Sequence, residues 1–289
     1  MPPAEITAQA SECAQRLGDL PGPWVREHLE QLLLAPHVEE ALQWLHDAGL
    51  LAVVLPEIDA TVGWAQELER RHKDVWAHTK QVVAQSDPEP GLRWAALLHD
   101  VGKVPTRELT AEGKVTFHGH AEVGAKMFDK VARRLAFPRP LRTRVRWLIL
   151  HHLRANQYLS SWSDSAVRRF DRQMGEYLED LLRLSRADIT SARKQRREAA
   201  QRQIDELWQR ISELRRADSV RPPLPSGLGH AIMEQLGLAP GRQIGELKRW
   251  LEQQVAVEAI EPHREESYYV DHLRRSGLVD ASGSEGESQ

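Results

Sequence analysis

The chain has 289 residues, 41% hydrophobic and 28% charged, with a formal net charge of −3, the profile of a folded globular protein with room for one large or two modest domains. So even a balance demands neither nucleic acid nor an anionic membrane as partner, and the longest apolar run, Leu50–Leu55, is far short of the ~20 residues of a membrane helix. A single cysteine, Cys13, excludes an internal disulfide and a cysteine-based zinc centre and fits a cytoplasmic setting, while the opening MPPAEITAQASE lacks the apolar core of a secretory signal.

Helical periodicity dominates the chain. Pro23 followed by WVREHLEQLLLA predicts a helix with proline in its first turn, and HVEEALQWLHDAGLL from His37 predicts a second. VLPEID then breaks the pattern at Pro56. Asp74 is placed to cap VWAHTKQVVAQS, whose apolar face of Val75, Thr79 and Val82 also carries His78. In WAALLHDVGK, residues Trp94, Leu97, Leu98 and Val101 keep helical spacing and Gly102 supplies a stop. Between Thr106 and Phe117, TREL, TAEG and KVTF predict a small hairpin. Further helices are expected over GHAEVGAKMFDKVARRL, RPLRTRVRWLILHHL, SDSAVRRFDRQ, EYLEDLLRLSRADI and a charged stretch from Arg193 to Arg216. RPPLPSG reads as a boundary before GHAIMEQLG and QIGELKRWLEQQ, and the polar ASGSEGESQ as a disordered end. The expected fold is therefore all-α: a helical bundle with one small β-hairpin and helical segments on both flanks. Four segments follow, with N-terminal helices over 1–70, a central domain over 71–217, a C-terminal helical tail over 218–275 and a disordered tail over 276–289.

Polar residues intrude on these apolar faces. Of thirteen histidines, His78, His99, His118, His120, His151 and His152 sit on or beside predicted helix ends, and Asp188 shares the face of Leu181, Leu184 and Ser185. Burying a neutral polar group without a partner costs roughly 2–7 kcal/mol, and a charge more. A divalent cation answers that cost, because it pairs with carboxylates and takes the lone pairs of neutral imidazoles. Nitrogen and oxygen donors without thiolate suit manganese, nickel, cobalt, iron or zinc, with magnesium where oxygen ligands dominate. More than four candidate ligands allow one or two ions, and Asp100, with two oxygens, is the candidate to be shared.

These segments resemble the HD superfamily of metal-dependent phosphohydrolases, through HKDVWAHT, AALLHDVGK, FHGHAEVGA, ILHHL and LLRLSRADIT. The resemblance implies His78, His99, Asp100 and Asp188 as the core metal ligands, with His120 and His151 as the extra ligands of members that hold a second ion. HDVGKVPTRE followed by GKVTFHGHAEVGA is similar, more narrowly, to the HD domain attached to bacterial tRNA nucleotidyltransferases. EEALQWLHDAGLLAVVLPEI resembles their neck helices, and LPSGLGHAIMEQLGLAPGRQIGELKRWLEQ resembles their tail. The nucleotidyltransferase head needs a Gly-Ser turn and an Asp-x-Asp pair; no two aspartates here are separated by one residue, so nucleotide addition by this chain alone is not expected. Nor is Gly102-Lys103 a phosphate loop, since Leu97 and Val104 stand where glycine and Ser or Thr would be required.

The expected chemistry is metal-assisted phosphoester hydrolysis, with Asp100 and Lys103 as the catalytic residues. Lys103 neutralises charge building on the phosphate, and Arg107, His118 and His152 join it as candidate substrate contacts. The resemblance implies 2′,3′-cyclic phosphates and 2′-phosphates of nucleotides or RNA ends as substrates. Two other readings stand beside it: a tRNA-binding companion of a separate nucleotidyltransferase, and a nucleotidase acting on free mononucleotides. Two stretches bear on the partner. Arg133 to Arg154 holds seven arginines and no acid, and Arg183 to Arg216 holds ten basic residues against five acidic. Such runs can track a phosphate backbone.

Overall fold

The computed structural model describes residues 2–63, 74–111, 113, 115–220 and 222–279. The fold is all-α, with one two-stranded antiparallel hairpin, β1 (Glu108–Leu109) and β2 (Val115–Thr116), in which Glu108 faces Thr116 and Leu109 faces Val115. Among the described residues no helix is long and apolar enough to cross a membrane. The polar end ASGSEGESQ, expected to be disordered, lies outside the described residues, as do His72 and Lys73 of the first HD-like segment.

The chain divides into two compact units, residues 1–211 and 212–289. The first opens with α1 (Ala4–Cys13), a helix the sequence did not announce. None of its residues is buried, so no apolar period marks it. Next come α2 (Gly22–Leu33), with Pro23 in its first turn, α3 (Val38–Asp47), α4 (Leu50–Val54) and α5 (Pro56–Asp59). Pro56 thus opens a short helix where the sequence suggested a break; proline's missing N–H costs nothing in a first turn.

Around the site run α6 (Val75–Gln85), α7 (Pro90–Leu98), α8 (His120–Arg134), α9 (Arg139–His151), α10 (Asp164–Met174) and α11 (Leu178–Ala187). Asp74 caps α6 as expected, its carboxylate accepting from the Trp76 backbone N–H at 3.2 Å. Helix α7 is buried on every side from Gly91 to Leu98, against the one-sided pattern the sequence suggested. It is the central post of the bundle, with α2, α6, α9 and α11 packed around it. Even its arginine is enclosed. Arg93 donates from Nε to Ser86 O (2.8 Å) and from Nη1 to Leu33 O (3.0 Å), satisfying carbonyls at the ends of α6 and α2.

The N-terminal helices share this core. Arg26 of α2 is buried and donates to Leu135 O and Ala136 O just past the end of α8. A Cβ at Gly22 would run into the Arg134 carbonyl and lie 3.1 Å from Leu135 Cα, so only glycine lets α2 start there.

Helix α12 (Lys194–Val220) contains the boundary between the units. The second unit has α13 (Leu228–Leu236), α14 (Arg242–Ala256) and α15 (Glu266–Ser276) around a core of Leu228, Ile232, Leu251, Tyr269, Val270 and Leu273. Helix α15 was also absent from the sequence reading, although Tyr269, Val270 and Leu273 are its buried stripe.

Candidate metal centre

Five helix ends meet at one point in the first unit. His78 lies in the first turn of α6, His99 and Asp100 follow the last residue of α7, His120 opens α8, His152 caps α9 and Asp188 caps α11. His99, Asp100, His120 and His152 are buried. Helix ends leave backbone carbonyls and N–H groups unbonded, and here they fix the imidazoles. His99 Nδ1–H donates to Ala96 O (2.8 Å), His120 Nδ1–H to Phe117 O (2.8 Å) and His152 Nδ1–H to Ile149 O (2.7 Å). Each bond reaches back three residues, sets the tautomer and turns Nε2 inward with a lone pair to give. His78 is held differently: its Nδ1 pairs with Thr190 Oγ1 at 2.9 Å. Sequence reasoning passed over Thr190, although it stands two residues beyond Asp188.

The inward atoms form two groups. His78, His99 and Asp188 bring one ligand atom each within 4.8 Å of one another, and so do Asp100, His120 and His152. Asp100 spans both. Its Oδ2 lies 3.4 Å from His78 Nε2 and 3.2 Å from His99 Nε2, while its Oδ1 lies 3.6 Å from His120 Nε2 and 3.9 Å from His152 Nε2. Asp188 Oδ1 is 2.9 Å from His78 Nε2.

The donor chemistry fits a cation. His78 Nε2 faces His99 Nε2 at 3.3 Å, and His120 Nε2 faces His152 Nε2 at 3.2 Å. Where Nδ1 carries the proton, two Nε2 lone pairs at that separation repel unless a proton or a cation lies between them. The first group can take a proton. Burial opposes charge on His99, but Asp100 and then Asp188 outweigh it and push its pKa up to about 10. In the second group His152 resists one. Burial, followed by the charge on His99, pushes His152 down to about 4 against the pull of Asp100. Burial works to raise Asp100 and Asp188 as well, yet the surrounding imidazoles hold both low, with Lys103 adding to the effect on Asp100.

A metal ligand must be neutral imidazole. At pH 7.5 His99 is charged without metal and His152 is not, so ligation by His99 should release about one proton and ligation by His152 about none. Calorimetric titrations of chelated protein, repeated in buffers of different ionisation enthalpy, measure this. In the metal-free protein the same group stabilises the fold fully below the unfolded pKa of ~6.5, and that contribution is lost as pH rises through about 10. Release of no proton in the first step would mean that His99 is not displaced from its charged state.

The sequence assigned His151 to the metal and His152 to substrate; the structure exchanges their surroundings. His152 joins the cluster, whereas the His151 ring packs on Trp147 with centroids 4.4 Å apart. The signal for this was present: Val145, Leu148 and Ile149 form the buried face of α9, and position 152 continues that spacing. His151 falls four residues after Trp147, on the other stripe. His152→Ala is expected to lower the number of tightly bound ions by one, and His151→Ala to leave it unchanged, by elemental analysis of the purified variants.

Lys103 Nζ donates to Asp100 Oδ2 at 2.6 Å and lies 5.7 Å from the centre of the Phe117 ring. Arg107 and His118 are exposed, before β1 and after β2. Gly102 has a different part from the helix stop it resembles, since α7 has already ended at Leu98. A Cβ there would collide with the His120 carbonyl oxygen and sit 2.7 Å from Gly124 N. The turn carrying Asp100 is thus pressed against the backbone of α8.

Comparison with known proteins places these features in context. The family described as "HD domain" matches residues 64–193. The one described as "Probable RNA and SrmB-binding site of polymerase A" matches residues 4–61. The chain is 33% identical over 266 residues to the A-adding tRNA nucleotidyltransferase of Deinococcus radiodurans, covering 88% of this chain and 60% of that protein. It is 34% identical over 266 residues to the CC-adding tRNA nucleotidyltransferase of Thermus thermophilus, covering 90% of this chain and 58% of that protein. The chain therefore spans about 60% of the length of these curated relatives.

Proposed function

We propose, from the premise that this chain is an HD-domain relative of the bacterial tRNA nucleotidyltransferases, that it hydrolyses phosphoesters of nucleotides or RNA ends, of the 2′,3′-cyclic phosphodiesterase and 2′-phosphatase type. One observation carries the reading: two groups of inward-facing ligand atoms are joined through the two oxygens of a single buried carboxylate, Asp100.

In this proposal His78, His99 and Asp188 hold one divalent ion, His120 and His152 hold a second, and Asp100 serves both. Such ions, when bound, bring the pKa of a bound water toward ~7 and clamp phosphate oxygens. The rest falls to the chain. The three carbonyl-anchored imidazoles and Thr190-held His78 fix the ligand directions before any substrate arrives. Lys103, oriented by Asp100 and the Phe117 face, supplies a cation for charge building on the phosphate. Arg107 and His118, on the exposed flanks of the hairpin, are the candidate grips for the rest of the substrate.

Elemental analysis of the purified protein tests the first half of this reading. A phosphoester panel tests the second, with 2′,3′-cyclic nucleotides, 2′-phosphates and free mononucleotides, each with manganese, nickel, cobalt and magnesium. The expected result is metal-dependent opening of the cyclic phosphates; hydrolysis of mononucleotides alone would favour a nucleotidase. Absence of bound metal and of turnover with every ester would overturn the hydrolase reading. The match of residues 4–61 to an RNA-binding region favours a second reading, a tRNA-binding companion whose HD site is incidental. Salt-sensitive tRNA binding that survives loss of Asp100, with no hydrolysis, is its signature.

A further inference from the structure

The arginine-rich stretch from Arg133 to Arg154 contains two sets with different surroundings. Two of its seven arginines are stapled to acids from distant parts of the chain: Arg134 to Glu57, and Arg144 to Glu89 and Asp180. Three others line a cavity of about 560 Å³ on the outer side of α9, walled by Arg139, Arg142, Arg146, Trp147, Phe137 and Asp129. That volume is within the range of small-ligand sites, roughly 300–1,000 Å³.

The charge there is not cancelled. Asp129 is the one acid in the wall, and it accepts from both Arg142 Nη2 (2.8 Å) and Arg146 Nε (2.9 Å). Its side chain is 23% exposed, whereas those of Arg142 and Arg146 are 42% and 41% exposed. The carboxylate is thus the more buried partner and ties the two half-exposed guanidiniums to each other. With exposed Arg139 the wall carries three positive charges against one negative. Arg139 and Arg146 are seven residues apart on α9, about 10 Å along the axis. Beside them the Trp147 indole makes tilted contacts with Tyr177 and His151, at 5.3 and 4.4 Å between ring centres.

Solvated ion pairs alone would be worth little, about 0–1 kcal/mol each, and would need neither a concave wall nor a neighbouring indole. Guanidiniums beside an aromatic ring are the means by which proteins hold a single-stranded nucleic acid, through phosphate contacts and base stacking. We propose that this groove binds a single-stranded RNA segment, with phosphates on Arg139, Arg142 and Arg146 and a base against Trp147. The surface is separate from the His/Asp cluster, so the inference does not rest on the hydrolase reading.

The test uses the full chain in excess EDTA, which removes any metal-borne binding and turnover. Anisotropy of a labelled 12-nucleotide single-stranded RNA is followed against salt. Three phosphate contacts predict a slope of log K on log salt of about −2 for a single strand, at ~0.7 per contact. Arg139→Gln with Arg146→Gln should weaken binding at least tenfold and flatten the slope by about 1.4. Arg139→Gln alone, at an exposed position, keeps the test valid if the double variant fails to fold. Arg242→Gln, exposed on the second unit, should change neither quantity. Unchanged affinity and slope in both groove variants would overturn the proposal. So would an equal, equally Arg139-dependent affinity for poly-glutamate, or displacement of the RNA by millimolar AMP as readily as by unlabelled RNA, which would make the groove an acidic-peptide or mononucleotide site.

Discussion

Asp100→Ala is expected to remove tight binding of both ions and to lower phosphoester turnover by more than roughly 10³-fold, beyond the 10²–10³ that loss of one charge-stabilising donor costs. The carboxylate is the only described group that addresses both ligand groups, one oxygen to each. Its removal also leaves charged His99 and Lys103 buried or half-buried without their nearest counter-charge, and stranding a buried charge in this way costs about 3–5 kcal/mol. Asp100→Asn separates the two effects, because it keeps the shape and part of the hydrogen bonding. The Asn variant should melt closer to wild type than the Ala variant while binding metal as poorly. Normal turnover of either variant at matched metal loading would mean that the proposed centre is not where hydrolysis occurs.

A methyl group at position 102 is expected to do comparable damage without touching a ligand. In Gly102→Ala the new Cβ meets backbone on both sides, the His120 carbonyl and the Gly124 nitrogen. Neither can swing aside as a side-chain end would. Overpacking typically costs 1–3 kcal/mol, which for a unit of this size corresponds to a fall in Tm of about 2–12 °C. The readier relief is for the Asp100 turn to lift away from α8, which would carry Asp100 Oδ1 away from His120. The variant should therefore keep the ion at His78, His99 and Asp188 more firmly than the one at His120 and His152. Elemental analysis and a melting curve check both halves, and an unchanged Tm with full metal content would refute the close approach.

Much of this centre could be read from residue order, because its ligands stand on helices whose apolar spacing is plain. His78 shares a face with Val75, Thr79 and Val82, and Asp188 follows the buried run of α11. The 151–152 pair went astray because adjacent helical residues differ by ~100° in direction, and a pair of identical letters does not say which one faces in. Thr190 was invisible for another reason: it lies beyond the end of α11 and reaches His78 across 112 residues, and no periodicity reports such a contact. The pairings of the arginine run were hidden in the same way. Its counter-charges, Glu57, Glu89, Asp129 and Asp180, are all outside the stretch. The hairpin and the helices of the bundle were legible from their own letters, whereas α1 and α15 carry too short an apolar stripe to stand out.

The enclosed guanidinium of Arg93 has a bearing on how such a protein can be dissected. One side chain ties off the ends of two helices that sequence families assign to different modules, α2 on one side of residues 62–63 and α6 on the other. Inheritance draws its border there, but cohesion does not. A fragment beginning at the family border would lose α2 and with it the Leu33 carbonyl, leaving Arg93 with only its partners at the end of α6, and would be expected to be less stable than the whole unit. Ancestry and cooperativity partition this molecule differently, and shuffling of its parts in evolution would have had to carry both helices together.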